Sequence, residues 1–516
     1  MVKMKVFIML FLMAQCGDGA KILGVMPSPS YSHQVVFQPL WRELSLRGHQ
    51  VTILTTDPIR DPSLVNLTEI DLHFVYEIWN TKIANFMSSL NGLQLYHYAF
   101  TALITVADAE LSHPDVQKLL KDEDAHFDLV IVEFFLPSMS MFARKFNCPL
   151  IGVVSMDLPN FRHRLVGNPN HPVLYPDFFL PLSDELTFFE RLFSVLFSFA
   201  TDMYTYFYLN GVEQAVINKH FGEDSPEISE LAKNTSILLM NTSPTFHQVR
   251  PIMPSVIQMG GGLHRASVKP LPKHLQVILD KAVQGFIYFS LGTNVKSQLL
   301  LQDFQNVLLE TFAELPYLVL WKIDSEIARN KPNNVIVSKW WPQQSILRHP
   351  NIKLFITQGG LQSVEEGIYD NVPMIVIPFL GDQPFNGKKV EDKGFGLTFE
   401  YSTLTKPKFK AAILEVINNP KYRESIREMT EVAKDLPMDP LEQAVWWTEY
   451  VIRHKGAKHM KSRSVNVPYY QYFLLDIVAF LLAFIILLFF LLRFIFRRLC
   501  SRLFTKTKGQ GKRKRD

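Results

Sequence analysis

Along the chain, short apolar runs alternate with stretches of helical period. Lys21 to Met26 reads as a strand, and Phe37, Leu40, Trp41 and Leu44 then recur at three- and four-residue spacing until Gly48 stops the helix. Gln50 to Thr56 reads as the next strand, so this segment predicts a βαβ unit and a parallel, Rossmann-like sheet. Asp128 to Val132 and Leu150 to Ser155 continue the winding, with a helix ending at Ala143 to Asn147. Leu186 to Leu209 is rich in Phe, Leu and Tyr but is interrupted by Glu190, Arg191 and Asp202; it fits a groove or membrane-interface helix, with a buried core helix as the plainer alternative.

The densest turn composition lies between Pro244 and Pro272, where Pro251, Pro254, Gly260, Gly261, Gly262 and Pro270 cluster. Strand–helix alternation then restarts, with strands expected at Phe286 to Leu291, Tyr317 to Ile323, Val335 to Ser338, Lys353 to Thr357, Met374 to Pro378 and Gly396 to Glu400. The expected class is therefore α/β: two Rossmann-like doubly wound domains facing a cleft, over residues 20–255 and 256–455. Lys408 to Tyr450 reads as helical throughout, with its end at Trp446-Trp447 crossing back.

The ends of the chain differ from this body. Met1 to Ala14 sets Lys3 and Lys5 before an apolar run, and small residues follow at Gly17, Gly19 and Ala20, the layout of a cleavable signal peptide over residues 1–19. Phe473 to Leu492 carries only Asp476 as a charge and is long enough to be a transmembrane helix. Residues 493–516 hold ten Lys and Arg against one acid, Asp516. The positive-inside rule predicts a cytosolic basic tail and a lumenal body. Lys512 and Lys514 resemble the dibasic retrieval signals of endoplasmic reticulum membrane proteins, against a plain basic anchor as the alternative.

A basic run beside a membrane span is explained by anionic lipid, so no nucleic-acid partner is expected. Hydrophobic residues make up 47% and charged residues 20%, with forty Phe, which excludes a disordered chain. Of three cysteines, Cys16 lies in the leader and Cys500 in the tail, leaving Cys148 without a lumenal disulfide partner. Sequons at Asn66, Asn234 and Asn241 fit lumenal N-glycosylation.

The chemistry concentrates in a few segments: Phe289-Ser-Leu-Gly-Thr293, Trp340-Trp-Pro-Gln343, Phe355 through Thr357-Gln-Gly-Gly360 to Glu366, Pro373 to Pro378, and Gly381-Asp-Gln383. Together these resemble the signature of the UDP-glycosyltransferases, which move a sugar from a UDP-sugar to a small lipophilic acceptor. The resemblance covers essentially the whole chain, extends to the leader and anchor of the animal microsomal members, and is closest to insect members in Tyr31-Ser-His-Gln34 and Thr357-Gln-Gly-Gly360. It implies a GT-B type fold with an N-terminal acceptor domain and a C-terminal donor domain.

In chemical terms, a Trp at a strand end offers a flat face to uracil, and Gln343 offers a donor and an acceptor to the base edge. One of Trp340 and Trp341 is expected to be core, and the resemblance makes Trp340 the stacking residue. Gly359 and Gly360, with Gln358, Gln362 and Ser363 around them, open a helix whose free N–H groups suit a diphosphate. The resemblance further assigns Glu366 to the ribose hydroxyls, Asp382 and Gln383 to the transferred sugar, and Ser290 and Thr293 to the opposite side of the donor. Glu365 is expected to be a solvated neighbour. Gln358 replaces the family's frequent His, and Leu361 its frequent Asn, so leaving-group stabilisation leans on backbone dipoles.

Inverting transfer needs a base, and the resemblance makes it His33, which follows the first strand at a helix N-terminus where the dipole favours the neutral ring. Glu133 falls at the position of the family's partner Asp, with Asp128 in reserve. No metal and no cofactor are expected beyond the UDP-sugar co-substrate. The expected protein is a single-pass glycosyltransferase of the endoplasmic reticulum membrane, acting on a small lipophilic acceptor, with glucose the favoured sugar over glucuronate; self-association is left open. A ligand carrier without catalysis and a transferase acting on membrane lipid are the alternatives.

Overall fold

The computed structural model describes residues 19–81, 92–265, 268–293, 302–323 and 331–510. The leader and the Lys512 and Lys514 signal lie outside the described residues. The chain divides into two units, Met1–Lys461 and Ser462–Asp516.

In the first unit the described strands form two all-parallel sheets. The first comprises β1 (Lys21–Met26), β2 (Gln50–Thr55), β3 (Leu67–Asp71), β4 (Leu129–Glu133), β5 (Leu150–Val154), β6 (Ile237–Met240) and β7 (Val256–Gln258), in the order β3-β2-β1-β4-β5-β6-β7. The second comprises β8 (Phe286–Ser290), β9 (Leu318–Lys322), β10 (Val335–Ser338), β11 (Ile352–Thr357), β12 (Met374–Val376) and β13 (Gly396–Thr398), in the order β10-β9-β8-β11-β12-β13. Both orders reverse next to the first strand of their sheet, between β1 and β4 and between β8 and β11. Such switch points open a crevice at the carboxyl ends of the strands. The central strands are apolar and buried on both faces, as in β4 and β8, which explains why they read as continuous runs rather than as alternations.

Helix α1 (Tyr31–Leu46) packs Val36, Phe37, Leu40, Trp41 and Leu44 against the first sheet. Helix α2 (Gly92–Leu111) covers the other face, with Tyr96, Phe100, Ile104 and Ala107 in its core. Helix α3 (Phe188–Tyr204) departs from the core alternative. It buries Ser194, Phe197, Ser198 and Thr201 and exposes Phe188, Phe189, Leu192, Phe193, Leu196 and Phe199. Such a contiguous apolar face is rare on a soluble surface.

Two boundaries shift from their sequence expectation. Val256–Gln258 pairs in parallel with β6, so the first sheet runs beyond 255 into the Pro- and Gly-rich stretch. Lys408 to Tyr450 is not one helix: new helices start at Pro420 and Pro440, because proline at a helix start has no N–H to leave unpaired. The last of them, at Pro440–Arg453, returns to the first sheet and places Ala444, Val445 and Val451 in the core beside Val36, Phe37 and Trp41.

The second unit contains a helix at Leu475–Gln510, of which Leu475–Arg502 is long and apolar enough to cross a membrane.

Candidate active site

The switch point of the first sheet sets two side chains against each other. β1 feeds the turn that opens α1, placing His33 in the first turn of that helix, while Glu133 closes the neighbouring strand β4. The His33 imidazole Nδ1–H donates to Glu133 Oε1 at 3.0 Å, and the Ser28 backbone N–H donates to Glu133 Oε2 at 3.0 Å. Glu133 is fully buried, whereas His33 keeps 23% of its side chain exposed. With Nδ1 committed to the carboxylate, Nε2 is the free nitrogen of a ring that lines the cleft. Asp128 is removed from this role, since its Oδ2 accepts from the Lys21 N–H at 2.8 Å at the opposite end of the strand.

Across the cleft, the second sheet presents its own switch point. Gly359 sits at φ +85°, and a Cβ there would lie 2.5 Å from Val376 Cγ1, so only glycine makes this turn. Gly360 then caps helix α4 (Leu361–Tyr369), whose first N–H groups face the cavity. Gly292, at φ +71°, leaves room for the amide of Gln358, which a Cβ would strike at 2.0 Å. Helix α5 (Gln383–Asp392) begins with Asp382 as its N-cap, and the Asn386 amide donates to Asp382 Oδ2 at 2.7 Å. Gln383 Oε1 accepts from the Phe379 and Leu380 N–H groups.

A cavity of about 720 Å³ joins these groups. It is lined by His33, Thr293, Trp340, Gln343, Gln358, Gly360, Gln362, Ser363, Glu366, Asp382 and Gln383, with Leu95, Phe100, Phe135 and Phe179 from the N-terminal half. Ser290 and Gly359 stand behind the wall instead: Ser290 is buried, and its Oγ accepts from the Gly292 N–H.

Trp340 is 55% exposed, while the Trp341 Nε1–H donates to the Trp321 carbonyl at 3.1 Å, so Trp341 is the structural member of the pair. Gln343 lines the cavity, and its NH₂ donates to Ser363 Oγ and Glu366 Oε2 while its carbonyl accepts from the Tyr288 hydroxyl. Gln344 donates to Glu366 Oε1 at 2.8 Å. Burial alone would raise the Glu366 carboxyl, but the His264 ring 3.4 Å away and hydrogen bonds from Gln343 and Gln344 outweigh it and hold it below the usual carboxylate range.

Two expectations are overturned by burial. Glu365 is not solvated; it is buried beneath Glu366. Asn241 cannot carry a glycan in this fold, since its side chain is buried and donates to the Ser155 carbonyl and to Glu365. Asn234 is exposed at a helix end and Asn66 is partly exposed, although the Asn66 amide donates to the Ser45 carbonyl.

Lys322, Tyr31 and His264 line the cavity and were missed from sequence. Lys322 Nζ lies 4.4 Å from the Trp340 ring centre, and burial lowers its ammonium to about 8 against the opposing charge of Glu366. A single Lys closing an apolar strand at the carboxyl edge of a parallel sheet is the signal that would have found it. Tyr31 sets its edge on Trp340 from the acceptor half, with ring centres 5.5 Å apart.

Burial pushes the Asp382 carboxyl up to about 6, only partly offset by the Asn386 hydrogen bond. The resemblance assigns this carboxylate to the sugar of the donor, and its ionised form is present above that value and lost as pH falls through it. The KM for the UDP-sugar is therefore expected to rise roughly ten-fold between pH 7 and pH 5. Steady-state kinetics across that range should show the rise, and Asp382→Asn should flatten it at a uniformly higher KM.

Two Rossmann-like parallel sheets, with a glycine-opened helix start on one side of the cleft and a His–carboxylate pair on the other, have the architecture of the GT-B glycosyltransferases. The profile described as "UDP-glucoronosyl and UDP-glucosyl transferase" matches residues 20–514, and the chain belongs to that family. It is 36% identical to "UDP-glycosyltransferase UGT5" of Dactylopius coccus over 89% of this chain and 88% of that one. It is 31% identical to "UDP-glucuronosyltransferase 2A3" of Mus musculus over 99% and 98%. Among solved structures it resembles the glycosyltransferase VinC in complex with DTDP, at a TM-score of 0.54 and 15% identity, over 84% of this chain and 100% of that one.

Proposed function

We propose that the chain transfers glucose from UDP-glucose to a hydroxyl of a small lipophilic acceptor, inverting the anomeric centre, with His33 as general base. The observation that carries this is the His33–Glu133 hydrogen bond, with the ring's other nitrogen in the same cavity as Asp382. His33 Nε2 takes the acceptor proton as the oxygen attacks the anomeric carbon. Glu133 holds the ring and compensates the imidazolium that forms. The departing diphosphate is met by the start of α4 and the Gln358 amide, so the reaction is proposed to need neither metal nor cofactor.

Glucose is favoured because Arg250 and Arg265, the two arginines beside the Pro- and Gly-rich stretch between the sheets, stand outside the cavity lining. Arg265 makes a two-pronged pair with Asp370 at 2.8 and 2.7 Å, and Arg250 lies 3.8 Å from Asp157. A glucuronate carboxylate would need a cation at the sugar end of the cavity, whereas Lys322, which does line it, has its ammonium against the Trp340 ring. The family description carries both sugars and does not decide between them. Equal concentrations of UDP-glucose and UDP-glucuronate competed on 1-naphthol should give predominantly the glucoside; a predominance of glucuronide would overturn the assignment.

The proposed setting is the endoplasmic reticulum membrane, with a signal peptide removed, the body lumenal, the basic tail cytosolic and glycans on the accessible sequons. The apolar pocket wall at Leu95, Phe100 and Phe179, together with the bare aromatic face of α3, supports acceptors that partition from lipid.

A further inference from the structure

Helix α4 is held from both sides. Gln362, Ser363 and Glu366 line the donor cavity, while Glu365 points away from it and is buried. On that hidden side, the Asn241 amide donates to Glu365 Oε1 and Oε2 at 3.2 and 3.1 Å and to the Ser155 carbonyl at 3.1 Å. The same Ser155 carbonyl accepts from Gln362 at 2.9 Å. Ser155 and Asn241 directly follow β5 and β6, so both contacts join the acceptor half to the donor helix.

The connection to the catalytic pair is short. Glu133 is registered opposite Val153 on β5, and Val154 is opposite Met240 on β6. Two adjacent strands thus link Asn241 to the carboxylate that orients His33. On the donor side, His264 lies between the two acids, its Nδ1 3.9 Å from Glu365 and its Nε2 3.4 Å from Glu366. The boundary loop is shaped around this arrangement: Gly261, at φ +78°, would place a Cβ 2.7 Å from Glu365 Oε1.

We propose that Asn241 and Glu365 are positioning residues that lock the nucleotide-binding helix to the acceptor half, so that donor binding at Glu366 sets the placement of the His33–Glu133 pair. Burial, together with the charge of Glu366, pushes the Glu365 carboxyl well above its usual range, so a neutral amide is its conservative replacement. The inference rests on the transfer reaction proposed above only for its kinetic readout.

In the full-length protein, Glu365→Gln should keep kcat with UDP-glucose and 1-naphthol within about three-fold, because Gln can still accept from Asn241. Asn241→Leu should lower kcat at least about thirty-fold while UDP affinity changes less than about three-fold. Asn241→Leu combined with Glu365→Leu should regain the melting temperature lost in the single variant, since a buried polar pair replaced on both sides leaves nothing unpaired, but should not regain kcat. Hydrogen exchange should show UDP alone slowing the amides of β6 and α1 in the wild type and in Glu365→Gln, and not in the double variant. Recovery of kcat together with melting temperature would reduce the pair to a structural contact. Equal loss of UDP affinity in Asn241→Leu would relocate its effect to the ribose site, and absence of UDP protection in the wild-type acceptor half would remove the coupling. The exchange experiment needs no acceptor, so it stands even if His33→Ala proves active.

Discussion

His33→Ala is expected to lower kcat by about 10³-fold while leaving UDP affinity nearly intact. In the proposed reaction the base belongs to the N-terminal half and the nucleotide to the C-terminal half, so the two losses separate by position. A positioned base contributes roughly 10² to 10⁴ in rate, and here the ring is the only imidazole that lines the cavity from the acceptor half among the described residues. Glu133→Gln should cost less, about one to two orders of magnitude, because the amide oxygen still accepts from Nδ1 but carries no charge to balance imidazolium. Initial rates of glucoside formation alongside calorimetric UDP titration test both variants. Turnover of His33→Ala close to wild type would remove the residue from catalysis.

Glu366→Ala is expected to weaken UDP binding by roughly 10- to 150-fold, the worth of one hydrogen-bonded charge. The carboxylate accepts from Gln343 and Gln344 inside the cavity wall, so its removal takes away the ribose acceptor that the resemblance assigns and orphans both amide donors. Affinity and not kcat should carry most of the loss. UDP titration of the folded variant, with its melting temperature measured in parallel, is the check; unchanged affinity would exclude Glu366 from the donor site.

Much of this arrangement was legible in the chain because the chemistry sits at strand ends. β4 and β8 are buried on both faces and give uninterrupted apolar runs, so their ends could be located closely, and the family resemblance then fixed His33, Glu133 and Thr293 beside strand ends. β3 and β6 escaped notice for opposite reasons. β3 is an edge strand of mixed polarity, and β6 is four residues long and lies between turns. Asn241 and Glu365 were misjudged because a sequon and a pair of acids look like surface until a second domain covers them. Ser290 was misjudged because a motif residue that shapes its own loop reads the same as one that touches ligand. Tyr31 was missed because it meets Trp340 from an element remote in sequence, and Lys322 because a lysine at a strand end reads as a solvated charge.

The return of Pro440–Arg453 to the first sheet has a consequence for synthesis. Val36, Phe37 and Trp41 are covered by Ala444, Val445 and Val451, yet about 180 residues of chain separate β7 from that helix. At roughly 5–20 residues per second, the outer surface of the acceptor half stays open for on the order of ten to forty seconds of translation. The half that emerges first is therefore finished last, and during that interval it presents a greasy face to whatever holding factors attend the nascent chain. Ribosomes stalled before Pro440 should yield an acceptor half that is protease-sensitive along α1, and ribosomes stalled well past Lys461, far enough to clear the exit tunnel, one that is not.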